Sequence, residues 1–283
     1  NAALPLELIE RIEIIKGPAA RIYGQNAFTG AINIVTKSRF DAGVEVALSS
    51  GSFQQINAGA TAYHSTESAS HMVHFSRNTS RGYRYNTDYD QSNYAFKSVF
   101  NQQGRQIWHL LGSFSERAFG ANGFYASPAA TDQFEATQTS VLGLSTAVSM
   151  GQLTLKPRVY WRRNQDEYIY LRNDPTVYRN LHATNKITAE VNGVFDSRLG
   201  TTGFGLDLTQ TFLSSNNLGQ RSRFATTLFV EHRMRFFNES VDVIPGVAAT
   251  NFSDFGTYAY PGLDLGWAPM EDWRIYANTG FTY

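Results

Sequence analysis

Leu153-Thr-Leu-Lys-Pro-Arg-Val-Tyr-Trp161 alternates residue by residue. Leu153, Leu155, Pro157, Val159 and Trp161 fall on one side; Thr154, Lys156, Arg158 and Tyr160 fall on the other. Successive strand residues face opposite ways, so this segment is a strand with one apolar and one charged face. The pattern recurs in both directions. Val44, Val46 and Leu48 alternate with Glu45, Ala47 and Ser49, and Ile187, Ala189, Val191, Gly193 and Phe195 alternate with Thr188, Glu190, Asn192, Val194 and Asp196. About thirteen such segments are predicted: 43–50, 54–64, 70–79, 92–101, 105–117, 138–150, 152–165, 184–196, 202–212, 223–237, 240–250, 258–267 and 272–283. Most exceed the roughly five or six residues of a globular strand and reach the roughly nine to eleven that a tilted membrane strand needs.

The connections after the first two segments alternate in length. Short ones lie at 102–104, 150–152, 197–200, 238–239 and 269–272, and longer ones at 80–91, 118–137, 166–183, 213–222 and 251–257. An up-and-down transmembrane barrel with short periplasmic turns and long extracellular loops produces this rhythm, whereas a Greek-key sandwich does not. The fold class expected is all-β: an antiparallel up-and-down transmembrane barrel. Leu155, Val159, Val191 and Leu208 then face lipid, and Lys156, Arg158, Glu190 and Asp207 face the lumen. Trp108, Phe114, Trp161, Trp267 and Trp273 fall near predicted strand ends, where interfacial aromatic girdles form.

Composition fits. The formal net charge is zero, which gives no basic excess for a nucleic-acid partner. Charged residues make up 17% and aromatics 14%, fewer charges than the roughly one quarter usual in a soluble globule. No apolar run approaches the ~18–20 residues of a membrane helix, but barrel strands average out to a hydropathy that looks soluble. There is no cysteine, which removes disulfide scaffolds and thiolate metal sites. The chain starts Asn1-Ala-Ala-Leu-Pro5 without a signal peptide, so an exported protein beginning this way is expected to be processed or truncated.

Residues 1–38 read differently. Ile9-Glu-Arg-Ile-Glu-Ile-Ile-Lys16 and Gly30-Ala-Ile-Asn-Ile-Val-Thr-Lys37 are strands without clean alternation. Gly17-Pro18 breaks the first, Pro18–Tyr23 suits one helical turn, and Gly24 suits its end. Apolar crowding of this kind belongs to strands covered on both faces.

The stretch Ile9 to Lys37 resembles the end of the plug domain of TonB-dependent outer-membrane receptors. The matching positions are Ile9, Glu10, Arg11, Ile12, Glu13, Gly17, Pro18, Tyr23, Gly24, Gly30, Ile32, Asn33, Ile34, Thr36 and Lys37. Weaker likenesses, in Phe119-Gly-Ala-Asn-Gly-Phe-Tyr125 and in 262–283, point to siderophore- and cobalamin-type members. The resemblance implies that residues 1–38 are the C-terminal part of a plug and 39–283 the N-terminal part of the barrel. About 12–13 of about 22 strands would be present. It implies a receptor that takes up a scarce nutrient of the iron-siderophore, haem or cobalamin class, driven through the periplasmic protein TonB. Its partners would be TonB (through a segment absent from this chain), outer-membrane lipid and an extracellular nutrient ligand such as an iron chelate, with no resident cofactor. The family's N-terminal TonB-contacting segment and about nine strands have no counterpart here. A closed barrel of about twelve strands is the competing architecture.

The chain has no G-x-S-x-G elbow and no phosphate-binding loop. His71 and His74, three apart, fall on opposite strand faces and cannot chelate one metal. No set of Ser, His and Asp stands out, so no catalytic residue is assigned; a lipase- or protease-type barrel and an adhesive barrel are the alternative classes. Candidate ligand-binding residues sit in the long loops. Arg81, Tyr83, Arg84 and Tyr85 combine guanidinium forks with rings. Phe119, Asn122, Phe124 and Tyr125 place aromatics in a second loop, and Tyr168 and Tyr170, beside Glu167, Arg172 and Tyr178, form a third group. Arg11, Glu13 and Lys16 are candidates for pairing the plug to lumen carboxylates such as Glu190, Asp207 or Glu231.

Overall fold

The computed structural model describes residues 4–16, 30–102, 106–270 and 272–281. The expected turn at 18–23 and the motif positions Gly17, Pro18, Tyr23 and Gly24 lie outside the described residues. A small antiparallel pair, β1 (Ile9–Lys16) and β2 (Gly30–Thr36), comes first. Then follow β3 (Gly43–Gly51), β4 (Gln55–Ser65), β5 (Ala69–Ser80), β6 (Tyr89–Gln102) and β7 (Gln106–Gly120). The run continues with β8 (Phe134–Met150), β9 (Leu153–Ile169), β10 (Arg179–Ser197) and β11 (Gly200–Ser215), and ends with β12 (Gly219–Phe236), β13 (Val241–Phe252), β14 (Gly256–Met270) and β15 (Trp273–Gly280). β3 to β15 form one 13-stranded antiparallel sheet in strict chain order. This is the expected up-and-down architecture, with β3 and β15 at its edges.

Register explains the alternation. Val44, Ala62, Val73 and Phe96 are successive cross-strand partners, as are Leu144, Val159, Ala189 and Leu208 farther along. Each such line runs along one face, so the outward positions make a continuous apolar belt in which Val44, Val73, Val159, Val191 and Leu208 are exposed. Lys156, Arg158, Glu190 and Asp207 occupy the opposite, inner face, as expected. Phe114 and Trp161 lie within strands rather than at their ends. They mark the upper margin of the belt: level with Phe114, and one step above Trp161, the outward positions pass to Ser140 and Arg163.

The strands run farther toward the long-loop end than alternation predicts. The expected loops 213–222 and 251–257 shrink to three-residue turns at 216–218 and 253–255. Ser214 pairs with Gln220 and Ser215 with Gly219, polar on both sides. Backbone ladders continue wherever N–H and C=O groups need partners, whereas side-chain alternation is enforced only where lipid lies on one side.

Two outward glycines are covered by aromatic rings from the neighbouring strand. A Cβ on Gly112 would come within 2.2 Å of Phe96, and one on Gly193 within 2.3 Å of Phe204, their direct cross-strand partners. The ring replaces the missing side chain and pins the register.

The N-terminal unit rests against the inner wall. Leu8, Phe40 and Met72 form a buried cluster, with Leu4, Tyr63 and Leu111 packed on it. Ser65 Oγ donates to the Phe40 carbonyl at 2.5 Å, and the Phe40 amide donates to Ser70 Oγ at 3.3 Å. Lys97, only 2% exposed, donates from Nζ to Thr36 Oγ1 at 2.6 Å and to the Lys37 carbonyl at 2.5 Å. The pairing expected of Arg11 and Glu13 with Glu190, Asp207 or Glu231 is replaced by local bonds. Arg11 binds Glu10 and Glu13, each at 2.8 Å, Glu13 also accepts from Asn33 at 2.8 Å, and Glu190 pairs with Arg158. Neighbours on the same small sheet satisfy these charges first, so the anchor is apolar packing, the serine bonds to Phe40, one buried lysine and Glu7 at 3.8 Å from His74. The side chain of Lys16 lies outside the described residues.

Val191→Arg, placed mid-strand on the lipid face, should destabilise the protein by roughly 2–4 kcal/mol, while Asn192→Arg on the inner face should be mild. Urea unfolding in lipid vesicles reads both, and equal losses would contradict the register. Gly193→Ala forces the Phe204 ring aside and should cost about 1–3 kcal/mol; Phe204→Ala in the same background should recover much of that difference.

Candidate ligand-binding lip

Three loops crown β5 to β10 at the same end of the sheet: 81–88, 121–133 and 170–178. They interlock through polar contacts rather than a hydrophobic core. Asn86 Nδ2 donates to the Thr131 and Gln133 carbonyls at 2.8 and 2.6 Å, and its own carbonyl accepts from the Asn122 amide at 3.2 Å. Arg172 reaches across from the third loop. It grips Asp88 with two bonds, 2.6 and 2.9 Å, donates to Asn86 Oδ1 at 3.0 Å and lies 4.7 Å over the Phe134 ring. Gly120 is needed here, because a Cβ would meet Asn86 at 2.3 Å.

This changes the reading of Arg172. It holds the loops together instead of offering its guanidinium to a ligand. The bidentate grip keeps the Asp88 carboxyl below the usual carboxylate range and raises Arg172 in turn. Tyr85 donates to Asp132 at 2.5 Å, which raises its phenol above the ordinary value.

The candidate residues separate into groups. Arg84 sits 5.4 Å over the Tyr83 ring and donates to the Asn122 carbonyl at 3.0 Å, while Asn122 Nδ2 donates to the Tyr85 carbonyl at 2.6 Å. Tyr83, Arg84, Tyr85 and Asn122 are thus brought together. Phe124, Tyr125, Tyr168 and Tyr178 form an edge-to-face chain with centroid spacings of 4.7, 5.5 and 6.3 Å. Tyr125 also bonds Glu135, and Gln133 Oε1 accepts from the Tyr125 amide at 3.2 Å. Tyr168 is not in a loop but near the end of β9. Tyr170 is exposed in the turn and pairs its amide with the Tyr178 carbonyl at 3.1 Å. Arg81 stands apart, its amide bonded to the Phe53 carbonyl at 3.0 Å. Phe119 belongs to β7, pairs in register with Tyr89 and Glu135, and is half-buried. Glu10, Arg11, Glu13 and Asn33 form a separate polar cluster on the small sheet.

Sequence reasoning missed Asn86, Asp88 and Gln133. Gln133 is fully buried, and its Nε2 has no partner among the described residues. A signal existed in the run Asn86-Thr-Asp88, residue types that cap and lock loops through side-chain bonds to backbone. No group of three or more metal-ligating side chains exists among the described residues. The lip can present rings, hydroxyls and the guanidinium groups of Arg81 and Arg84 to a bulky ligand; among the described residues it shows no nucleophile–base pair.

Comparisons agree with this architecture. No family model matches the sequence. A 56-residue stretch is 43% identical to the vitamin B12 transporter of Vibrio vulnificus, covering 19% of this chain and 9% of that protein. A 34-residue stretch is 56% identical to the ferrienterobactin receptor of Escherichia coli, covering 12% and 5%. The solved FrpB iron transporter of Neisseria meningitidis superposes with TM-score 0.81 at 13% identity, over 99% of this chain and 53% of that one. The siderophore receptor PirA of Pseudomonas aeruginosa gives 0.75 at 17% identity, over 98% and 50%. The chain therefore spans about half the length of these solved receptors. The resemblance to TonB-dependent outer-membrane receptors is borne out, and the bacterial outer membrane is the compartment.

Arg172→Ala should release all three loops together. Hydrogen exchange of the 81–88 and 121–133 amides should speed up by roughly tenfold with the barrel strands unaffected, and faster exchange in 170–178 alone would contradict a shared lock. Asp88 is depressed in the folded state, so its contribution is full above the ordinary carboxylate pKa and is lost as pH falls through the lower folded value. Loop protection should hold from neutral pH down to about 5 and weaken below about 4.

Proposed function

We propose that this chain is part of a receptor that takes up a scarce, bulky nutrient of the iron-siderophore, haem or cobalamin class across the outer membrane, with energy supplied through TonB. Residues 1–38 are the last part of its plug and 39–283 the first part of its barrel. The observation that supports this reading is the N-terminal unit seated by Leu8, Thr36, Lys37 and Phe40 on the inner face of a sheet whose outer face is apolar. A segment in that position obstructs the lumen, so ligand capture at the lip and passage along the wall are separate steps, and the second needs work. Ile12, Ile14 and Ile32 of the small sheet are 55%, 68% and 71% exposed. In the intact receptor the remainder of the plug covers them.

The lip supplies recognition. Its ring chain Phe124–Tyr125–Tyr168–Tyr178 suits a flat or aromatic-rich ligand, and Arg84 supplies a charge-assisted donor. The three-loop lock reduces the ordering needed when ligand arrives. The names of the similar proteins, an iron transporter, a siderophore receptor and a vitamin B12 transporter, agree with this class of cargo.

The test is uptake by the full-length receptor in a Gram-negative host stripped of its own receptors. Iron chelates, haem and cobalamin are supplied singly, with TonB present or deleted. Uptake of one of them only with TonB is the expected result; TonB-independent entry, or none of the three, would overturn the reading.

A further inference from the structure

The inner faces of β9 and β10 form a column of directly opposed side chains. Near its top Asp166 faces His182, and near its base Arg158 faces Glu190, to which its Nε donates at 2.6 Å. The lower pair joins opposite charges, while the His182 ring bonds Ser215 Oγ at 2.8 Å. Between them Arg162 stands directly opposite Lys186. Val141 lies beside Arg162 on β8 and Thr211 beside Lys186 on β11. The next cation along that line, Arg223, is already committed to Asp254 at 2.9 Å. Neither Arg162 nor Lys186 has a carboxylate partner among the described residues.

Side chains directly opposed on one face of an antiparallel pair have Cβ atoms about 5 Å apart, and like charges there are destabilising. A neutral pair would serve the ladder better. The arrangement is sensible if an anion visits, because two cations on one face can both give it charge-assisted bonds. Its position fits a ligand path. Tyr168, in the ring chain of the lip, is six residues above Arg162 on the same face of β9, about 20 Å along the strand.

We propose that Arg162 and Lys186 form an anion-binding subsite on the inner wall, below the aromatic lip, which receives the negatively charged oxygens of an anionic metal chelate as it descends. This rests on the uptake reading and narrows its cargo to the anionic class, against neutral chelates. The pair selects by charge, and the lip selects by shape and ring stacking. The subsite binds more weakly as salt rises, since it is hydrated and open to screening.

The test uses the purified full-length receptor and two small coloured probes, the trianionic iron(III) tris-catecholate and the neutral iron(III) tris-acetohydroxamate, in equilibrium dialysis. Arg162→Gln and Lys186→Gln should each weaken binding of the trianion by roughly tenfold and change the neutral probe by less than about twofold. Arg162→Lys keeps the charge and should retain most of the affinity, which separates loss of the subsite from loss of the fold. Unchanged trianion binding in both glutamine variants overturns the proposal, as does a wild type that does not bind it. Equal losses for both probes also overturn it, and would assign the pair to holding an acidic face of the plug. Failure of the uptake reading shows instead as absent TonB-dependent uptake by wild-type cells, which dialysis does not measure.

Discussion

Inside hydrocarbon, no water is present to bond a backbone N–H or C=O, so each must be paired within the protein. Most of this structure follows from that constraint. It requires strands long enough to cross, neighbours in unbroken register and turns outside the apolar zone. β3 to β15 meet these terms apart from one register shift between Trp267 and Met270 beside the β14–β15 turn, and ladders such as β10–β11 run without a slip from His182–Ser215 to Ser197–Gly200. Once pairing is satisfied by the ladder, side chains are free to answer to the media on either side, and the outer face turns apolar while the inner face carries Lys, Arg, Asp and Glu. The edges of the sheet, β3 and β15, need partner strands in a bilayer. The solved receptors, about twice as long as this chain, have the length to supply them.

Above the belt the constraint relaxes, and a different kind of order takes over. The loops have no core of their own; Asn86, Asp88, Arg172 and Gln133 hold them by bonds that bridge three connections. Such a lock is sensitive to single substitutions and to acid, unlike the ladder beneath it. It leaves the rings of Phe124, Tyr125, Tyr168 and Tyr178 at the rim. The same separation holds for the N-terminal unit. Its contact with the wall is a small apolar cluster, one buried lysine and Glu7 at 3.8 Å from His74, a limited seat compared with the sheet.

Legibility in the sequence tracks these physical differences. Membrane-crossing stretches are readable because lipid enforces period two, and Leu153–Trp161 alone shows it. The strand ends within 213–222 and 251–257 read as loops, since above the belt no medium enforces alternation. Tyr168 and Tyr125 stand out as candidates by residue type, but their ring contact depends on loop closure between 121–133 and β9, which no local pattern encodes. Arg172 reads as a ligand group because its partner Asp88 lies 84 positions away in sequence. Arg11 and Glu13 read as plug groups that reach distant lumen carboxylates, although closer partners on the same small sheet satisfy them.

The measurement that tests the account most directly is a cross-link in the native membrane. Leu8→Cys and Met72→Cys, introduced together in the full-length receptor, place thiols on the N-terminal unit and on the inner face of β5, where the parent side chains are packed in one buried cluster. A short bis-thiol reagent applied to outer membranes without ligand should bridge them efficiently, and uptake should stop in the bridged protein while ligand binding persists. Absence of the bridge, with the thiol on the N-terminal unit labelled instead from the lipid phase, would contradict the placement of residues 1–38 inside the barrel.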